Sequence, residues 1–419
     1  MKKSISVFLC MFLLAGCAEI VTSDLSRARQ SFANDNFVES AETFAKGNDI
    51  TKQDSLELLI TGLAQFQAKN YKQSDDAFEE FNKRNIDTIG GSAIREAKSL
   101  IGGRLATEYK PLMMDSLFVS YYQIWDAIGE NRKNDVRVII NQSYARQQDM
   151  SRAYEKLIEK NQKRLSDDNS ELMTKLQQQN STWAAYTDIM NPALMYLSGI
   201  WFLNGGDYSD AQTYLKRAAG MSQNNSYVEA DLNLAEKNQK PTDTTWVFIE
   251  SGFAPMLKQE TISLPVVTGN GVIVTSISTS EPVFWNGNIS ISGAKPLADV
   301  NAMFMTEFNQ YRINDALRAW TSATARTVGQ AVAYNSNNKL SGLIGLGSTI
   351  FSMATNDAEV RSWVTLPETI SILRIKTADL IASNLSDKLG SDVKLPTSGN
   401  YLIYVRLTDS APIVHTFKI

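Results

Sequence analysis

From Ser23 to about Lys240, apolar residues recur at intervals of three and four, a spacing that predicts helices. Pro111, Pro192 and Pro241 are the only prolines of that region. After Pro241 the period changes to two. "TTWVFIESG", "ETISLPVV" and "GVIVTSIS" predict strands, with "TGNGV" (268–272) as a hairpin turn. Helical spacing returns over 298–334, and strands resume in "ETISILRIK" and "GNYLIYVRLTDSAPIVHTFKI". The predicted fold class is α+β: a helical array over 17–240, then a mixed β-rich domain over 241–419 with a helical excursion at 298–355.

The helical half carries a repeat. In "NPALMYLSGIWFLNGGDYSDAQTYLKRAAGM" (191–221), proline opens a helix at its first turn and Gly205-Gly206-Asp207 makes a turn. Ala211, Leu215 and Ala218 then share a helical face. Phe37 and Tyr71, each just after a turn, lie 34 residues apart, as do Phe44 and Phe78. Gly62 precedes Tyr71 by nine residues, as Gly199 precedes Tyr208. These features resemble tetratricopeptide repeats, pairs of antiparallel helices in which small residues permit close crossing and aromatics fill the gaps. Met195 and Ser198 depart from that pattern, as does the missing terminal proline.

Between these units, "LFVSYYQIWDAIGENRKNDVRVIINQSYARQQ" predicts a helix pair turning near Gly129–Asn134. Residues 151–181 are polar, with a narrow seam at Ile158, Leu165 and Leu172, and predict a helical hairpin turning at "SDDNS" (166–170). "LSGLIGLGSTIFSMA" (340–354) is too short to span a bilayer; it suits close packing against 298–334 or, alternatively, contact with a membrane surface.

The N-terminus bears on location. Lys2 and Lys3, an apolar run to Leu14, and then Ala15, Gly16 and Cys17 have the form of a secretory signal over residues 1–16. Leu-Ala-Gly-Cys resembles the bacterial lipobox, which implies that Cys17 becomes the lipidated first residue. Ala18, where an aspartate would imply inner-membrane retention, favours the outer membrane by the same resemblance. Cys10 is the only other cysteine. Once it leaves with the signal, the expected mature chain has neither free thiol nor disulfide.

The net charge of −4 becomes −6 without Lys2 and Lys3, and no dense basic run is present, so nucleic acid is not an expected partner. With a single histidine, His415, and no mature thiol, a soft metal site and a His-dependent triad lack their parts. No cofactor or metal is expected. His415 alternates with Ile413 and Phe417 on one strand face, where a structural role is expected. Asp75, Asp76, Glu79 and Glu80 read as a solvated acidic face.

The candidate partner-binding residues are Tyr196, Ile200 and Tyr208 on the best repeat, with Arg361 and Trp363 in "VRSWVTLPE". For the last two, packing is the alternative, with Trp363 in the core and Arg361 bonding backbone carbonyls.

"WVFIESGFAPMLKQETISLP" and "VRSWVTLPETI" are similar to motifs in a family of Gram-negative outer-membrane lipoproteins. That family joins a repeat-like helical region to a β-rich domain. The resemblance implies an envelope location and the company of peptidoglycan-synthase activators. The expected function is a non-enzymatic, lipid-anchored periplasmic adaptor whose concave array holds a partner protein. The alternative is a glycan-binding protein or a glycan hydrolase with two acids from different segments in one cleft.

Overall fold

The computed structural model describes residues 23–43, 49–85, 109–167, 174, 190–222, 224–268, 271–287, 289–335, 358–383, 385–390 and 393–419. Cys17, Phe44, residues 168–170 of the predicted turn, most of 171–181, and the 340–354 stretch lie outside the described residues.

The helical half is a series of antiparallel hairpins. They are α1 (23–33) with α2 (Phe37–Glu42), α3 (Ser55–Gln67) with α4 (Tyr71–Asn85), α5 (Met113–Gly129) with α6 (Lys133–Asp167), and α7 (Pro192–Gly205) with α8 (Tyr208–Met221). A further helix, α9 (Ser226–Glu236), leads into the sheet.

One turn closes all of these units. Asp35, Lys69, Asn131, Gly206 and Asn238 each adopt positive φ. The next N–H then donates five residues back: Asn36 to Ser31, Asn70 to Gln65, Arg132 to Ala127, Asp207 to Phe202, and Gln239 to Leu234. This is the Schellman geometry that satisfies carbonyls at a helix end. Only one of the five positions is glycine, so the repeated turn has a weak sequence signature.

The α3/α4 and α7/α8 hairpins correspond residue by residue across a shift of 137 positions. Asp54 and Asn191 cap the first helices, each accepting two backbone N–H bonds. Lys69 matches Gly206 at the turn, and Tyr71 matches Tyr208 at the start of the second helix. Gly62 and Gly199 mark the crossings. A Cβ at Gly62 would stand 2.5 Å from the Phe78 ring, and one at Gly199 would stand 2.6 Å from Leu215. Glycine therefore sets the interhelical distance at both crossings.

The β-rich half holds a five-stranded sheet in the order β4 (Lys295–Asp299), β5 (Thr369–Lys376), β1 (Thr244–Ser251), β6 (Tyr401–Leu407), β7 (Ile413–Lys418). β1 and β6 are parallel; the other neighbours are antiparallel. Every residue of central β1 is buried. One face presents Trp246, Phe248, Leu402, Tyr404 and Ile372 to the helices. The other presents Val247, Ile249, Ile403 and Val405 to Leu380 and to the short helix α10 (Leu385–Leu389). The change of secondary structure near 240 is therefore not a break in packing, because one apolar core runs from the hairpins into the sheet.

A smaller core lies apart from both faces of the sheet. β2 (Met256–Thr268) and β3 (Gly271–Val283) pair out to Thr268 and Gly271 as a two-stranded ribbon around the predicted turn. The ribbon packs on the long helix αL (Val300–Asn335) through Ile262, Ile277, Ile313, Ala316 and Leu317. On the other side αL meets α6, where Tyr154 donates to the Thr306 carbonyl and Asn314 donates to Asn161.

α6 runs unbroken for 35 residues, so the first arm of the predicted 151–181 hairpin is the continuation of α6. Its buried stripe is Val136, Ile140, Ser143, Gln147, Met150, Tyr154 and Asn161. This is the three-and-four spacing of a narrow seam. Ile158 of the predicted seam is half-buried beside it.

Candidate functional site

The inner helices of the hairpins face the sheet and are sealed against it. The Phe66 and Tyr404 rings lie 4.9 Å apart, Trp125 and Phe248 5.3 Å, and Tyr196 and Phe248 5.8 Å. The concave side expected to hold a partner is occupied by the chain's own strands.

A polar network fixes this seal. Glu250 and Arg406, opposite one another on β1 and β6, are both fully buried. Arg406 Nη1 donates to the Glu250 carboxylate at 3.1 Å. The hydroxyls of Tyr122 and Tyr404 donate to the same carboxylate at 2.9 and 2.7 Å. Gln67 of α3 donates to the Tyr404 hydroxyl at 2.6 Å. Arg406 Nη2 donates to the carbonyls of Gly252 and Thr365. Burial pushes the Glu250 carboxyl up, opposed by Arg406 and the two hydroxyls. Two hairpins and two strands thus share one ion. Sequence reasoning missed it, although a lone acid in "TTWVFIES" and a lone arginine in "YLIYVRL" were the signal.

Four of the five candidate partner-binding residues belong to the interior. Tyr196 is fully buried and donates to Asp231 at 2.6 Å. That carboxylate also accepts from Trp246 Nε1 and Arg374 Nε, locking α7 and α9 onto β1 and β5. Ile200 is core. Trp363 is buried near Phe78 and Tyr122, with Nε1 donating to Thr365. Arg361 is buried and bonds the Glu359 carboxylate through Nε and Nη2. Tyr208 is half-buried against the core. These side chains build the molecule and offer no joint surface.

The acidic run on α4 also needs correction. Asp75 is buried, not solvated, because the next hairpin faces it: Gln123 donates at 2.9 Å and Arg132 at 2.5 Å. Nearby Asp126 is fully buried and accepts from Ser74. Asp76 and Glu80 are half-buried and Glu79 is exposed.

Another buried carboxylate pair caps α5. Glu307, from αL, accepts from Met113 N at 2.6 Å and Met114 N at 3.0 Å. Asp115 accepts from Leu112 N and from the Tyr109 hydroxyl. Burial pushes Glu307 up to about 8 and Asp115 up to about 7. Their hydrogen bonds hold a helix N-terminus, which is a structural arrangement.

Asp299 and Glu368 form a more open pair at the end of the sheet. They come from neighbouring strand ends, and Trp285 lies over Gly252 beside Glu368. Glu368 is pushed up, chiefly by burial, and accepts from Asn301.

His415 is buried on the face that alternation predicted, its ring 4.7 Å from Phe66. Nδ1 meets the Tyr71 hydroxyl at 3.1 Å. Burial holds the imidazole down to about 3, hence neutral.

Among the described helices, the outer side of the second helices is open. α4 exposes Lys72 and Lys83, α6 exposes Arg137 and Val138, and α8 exposes Lys216. Val138 is 52% exposed, beside the Arg137 ion pairs to Asp207 and Asp210 that bridge two hairpins. Among the described residues, no group of three or more His, Cys, Asp or Glu side chains could hold a metal ion, and no helix is long and apolar enough to cross a membrane. No family model, no curated protein and no solved structure matches the chain.

Proposed function

We propose that the protein is a lipid-anchored scaffold of the Gram-negative envelope, tied to the outer membrane through Cys17, that holds partner proteins on the outer side of its helical array. The observation carrying this reading is the sealed inner face. Arrays of this kind ordinarily bind through their concave side; here that side is filled by the sheet, and the accessible helical surface includes that of α4, α6 and α8. The sheet then acts as a brace. Cell-wall synthesis is the assembly suggested by the sequence resemblance.

The test places a photo-crosslinking residue at Val138 in living cells. A discrete adduct with one envelope protein, absent when the probe stands at exposed Ile381 behind the sheet, is the expected result. Identical adduct patterns at both positions would overturn the reading.

The glycan-acting alternative rests on Asp299, Glu368 and Trp285, where two acids and an aromatic meet at one strand end. Turnover of peptidoglycan by the purified protein, lost in Glu368→Gln, would favour it. Its absence in the native protein would remove the hydrolase version.

A further inference from the structure

The β2–β3 ribbon distributes its charges unusually. Strand pairing puts Lys258, Glu260 and Glu281 on the face that also bears Ile262 and Ile277, turned to αL. They are the ribbon's only charged residues. Lys258 pairs with Glu281 at 2.8 Å, and Glu260 with Arg312 of αL at 3.5 Å.

The opposite face bears no charge along its length. Its exposed positions include Gln259, Thr261, Ser263, Pro265, Val274 and Ser276, and Val274 is 68% exposed. From Thr261 to Ser280 no charged residue occurs, in a chain that is 21% charged. A face turned to water ordinarily carries charges; here the outer face has none, and the ribbon's three charges sit at its root on the αL side, where the Lys258 and Glu281 side chains are 58% and 40% exposed. Its hydroxyls pair along the face, Ser263 with Ser276 at 2.7 Å and Gln259 with Ser278 at 3.2 Å.

The ribbon is rooted beside the start of the described chain. Phe253 meets Phe32 of α1 at 6.2 Å, and Arg29 donates to the Ala254 carbonyl at 3.5 Å, just before β2 begins. Only residues 18–22 separate Cys17 from α1. Those six steps span at most about 22 Å. The helix from Ser23 to Arg29 adds about 9 Å. The acylated residue therefore lies within about 31 Å of the ribbon's root, and each 13-residue strand is itself about 43 Å long.

We propose that the outer face of the β2–β3 ribbon seats on the lipid surface to which the chain is tied. The proposal rests on lipidation at Cys17. Approach to the headgroup layer desolvates no charge on this face, and its hydroxyl and amide groups suit the phosphates and ester carbonyls found there. The acyl chains supply the affinity. The ribbon supplies orientation, holding the array at a fixed attitude to the membrane.

The mature, lipidated protein is the material for the test, because Cys17 is then blocked and Val274→Cys introduces its only thiol. That thiol carries an environment-sensitive fluorophore in vesicles of phosphatidylethanolamine and phosphatidylglycerol. The expected result is a blue-shifted emission, quenched by headgroup-labelled lipid and shielded from aqueous iodide. The same probe at Val138→Cys should stay in water. Adding Ser276→Lys should return the Val274 probe to water without changing the far-ultraviolet spectrum.

Iodide quenching at position 274 equal to that at 138 would overturn the proposal. So would self-quenching that follows protein density rather than lipid, which would mark a second copy as the occupant. The mass of the mature N-terminus reports lipidation separately. A native chain without acyl groups removes the anchor reading, whereas an acylated chain with a water-exposed probe removes only the ribbon's role.

Discussion

Arg406→Met tests whether the array and the sheet are one body. The substitution keeps an unbranched apolar stem and deletes the guanidinium that pairs with Glu250. Glu250 keeps its two tyrosine hydroxyl donors but loses its counter-ion, at a site where both partners are fully buried. Removing one partner of such a pair costs about 3–5 kcal/mol, because a buried charge is left uncompensated. Against a domain stability of about 5–15 kcal/mol, this is a large fraction.

The sign of the pH dependence follows. Burial already raises the Glu250 carboxyl, and loss of Arg406 raises it further. An acid with a raised folded pKa binds its proton more tightly when folded, so stability falls as pH rises from the unfolded value toward the folded one. The variant should be least stable at neutral and alkaline pH and recover partly toward pH 5. Adding Glu250→Gln removes the stranded charge and should restore part of the loss, which isolates the pair's coupling. Equilibrium urea unfolding, followed by near- and far-ultraviolet circular dichroism, reads both quantities on the chain of residues 18–419. A loss for Arg406→Met below about 1 kcal/mol, typical of an exposed pair, and flat with pH would refute the reasoning.

Three further outcomes follow from the packing. Gly62→Ala puts a Cβ 2.5 Å from the Phe78 ring and should cost about 1–3 kcal/mol in the same unfolding assay, with Phe78→Leu recovering part of it. His415 is neutral in the fold, so stability should fall as pH drops from about 6.5 toward 3, by up to about 1.4 kcal/mol per pH unit; the single imidazole resonance should not titrate above pH 5 in the folded chain, and His415→Phe should remove that slope. Glu307, held up to about 8, should make stability fall as pH rises from about 4.5 to 8, and Glu307→Gln should flatten that limb while costing about 1 kcal/mol for one lost backbone hydrogen bond.

The α+β class, the strands at "TTWVFIES" and "ETISILRIK", and the helix near 298–334 were legible because each follows from a local period. The 34-residue spacing of Phe37 and Tyr71 likewise marked a turn that the backbone repeats at Asp35 and Lys69. Long-range pairing was not legible. β1 and β6 are parallel neighbours more than 150 residues apart, and no local pattern reports which strands adjoin. That pairing puts Glu250 beside Arg406 and turns the aromatic faces of β1 and β6 toward the helices. Tyr196 and Ile200 were assigned to a surface because their helix read as part of an open array. Once a sheet covers it, the same residues must be core. Asp75 failed for a related reason: the Arg132 and Gln123 that cover it belong to the next hairpin.

Sealing the array changes its mechanics. In an open solenoid each repeat touches only its neighbours, so stability adds along the chain and folding can begin anywhere. Here the last strand docks onto an early hairpin. His415 meets Tyr71, Phe417 lies 5.7 Å from Trp125, and Ser410 donates to the carbonyl of Ala33. Phe66, Trp125 and Tyr196 of the inner helices α3, α5 and α7 pack on Tyr404 and Phe248 of strands made later, so the hairpins cannot complete their core alone. Contacts of such long sequence separation delay the final step of folding until the C-terminus is present. The same closure makes the outer helices a rigid surface, because bending the array would tear aromatic rings and the Glu250 network from the sheet. Partner binding at α6 would therefore meet a preformed surface, with little conformational entropy to lose.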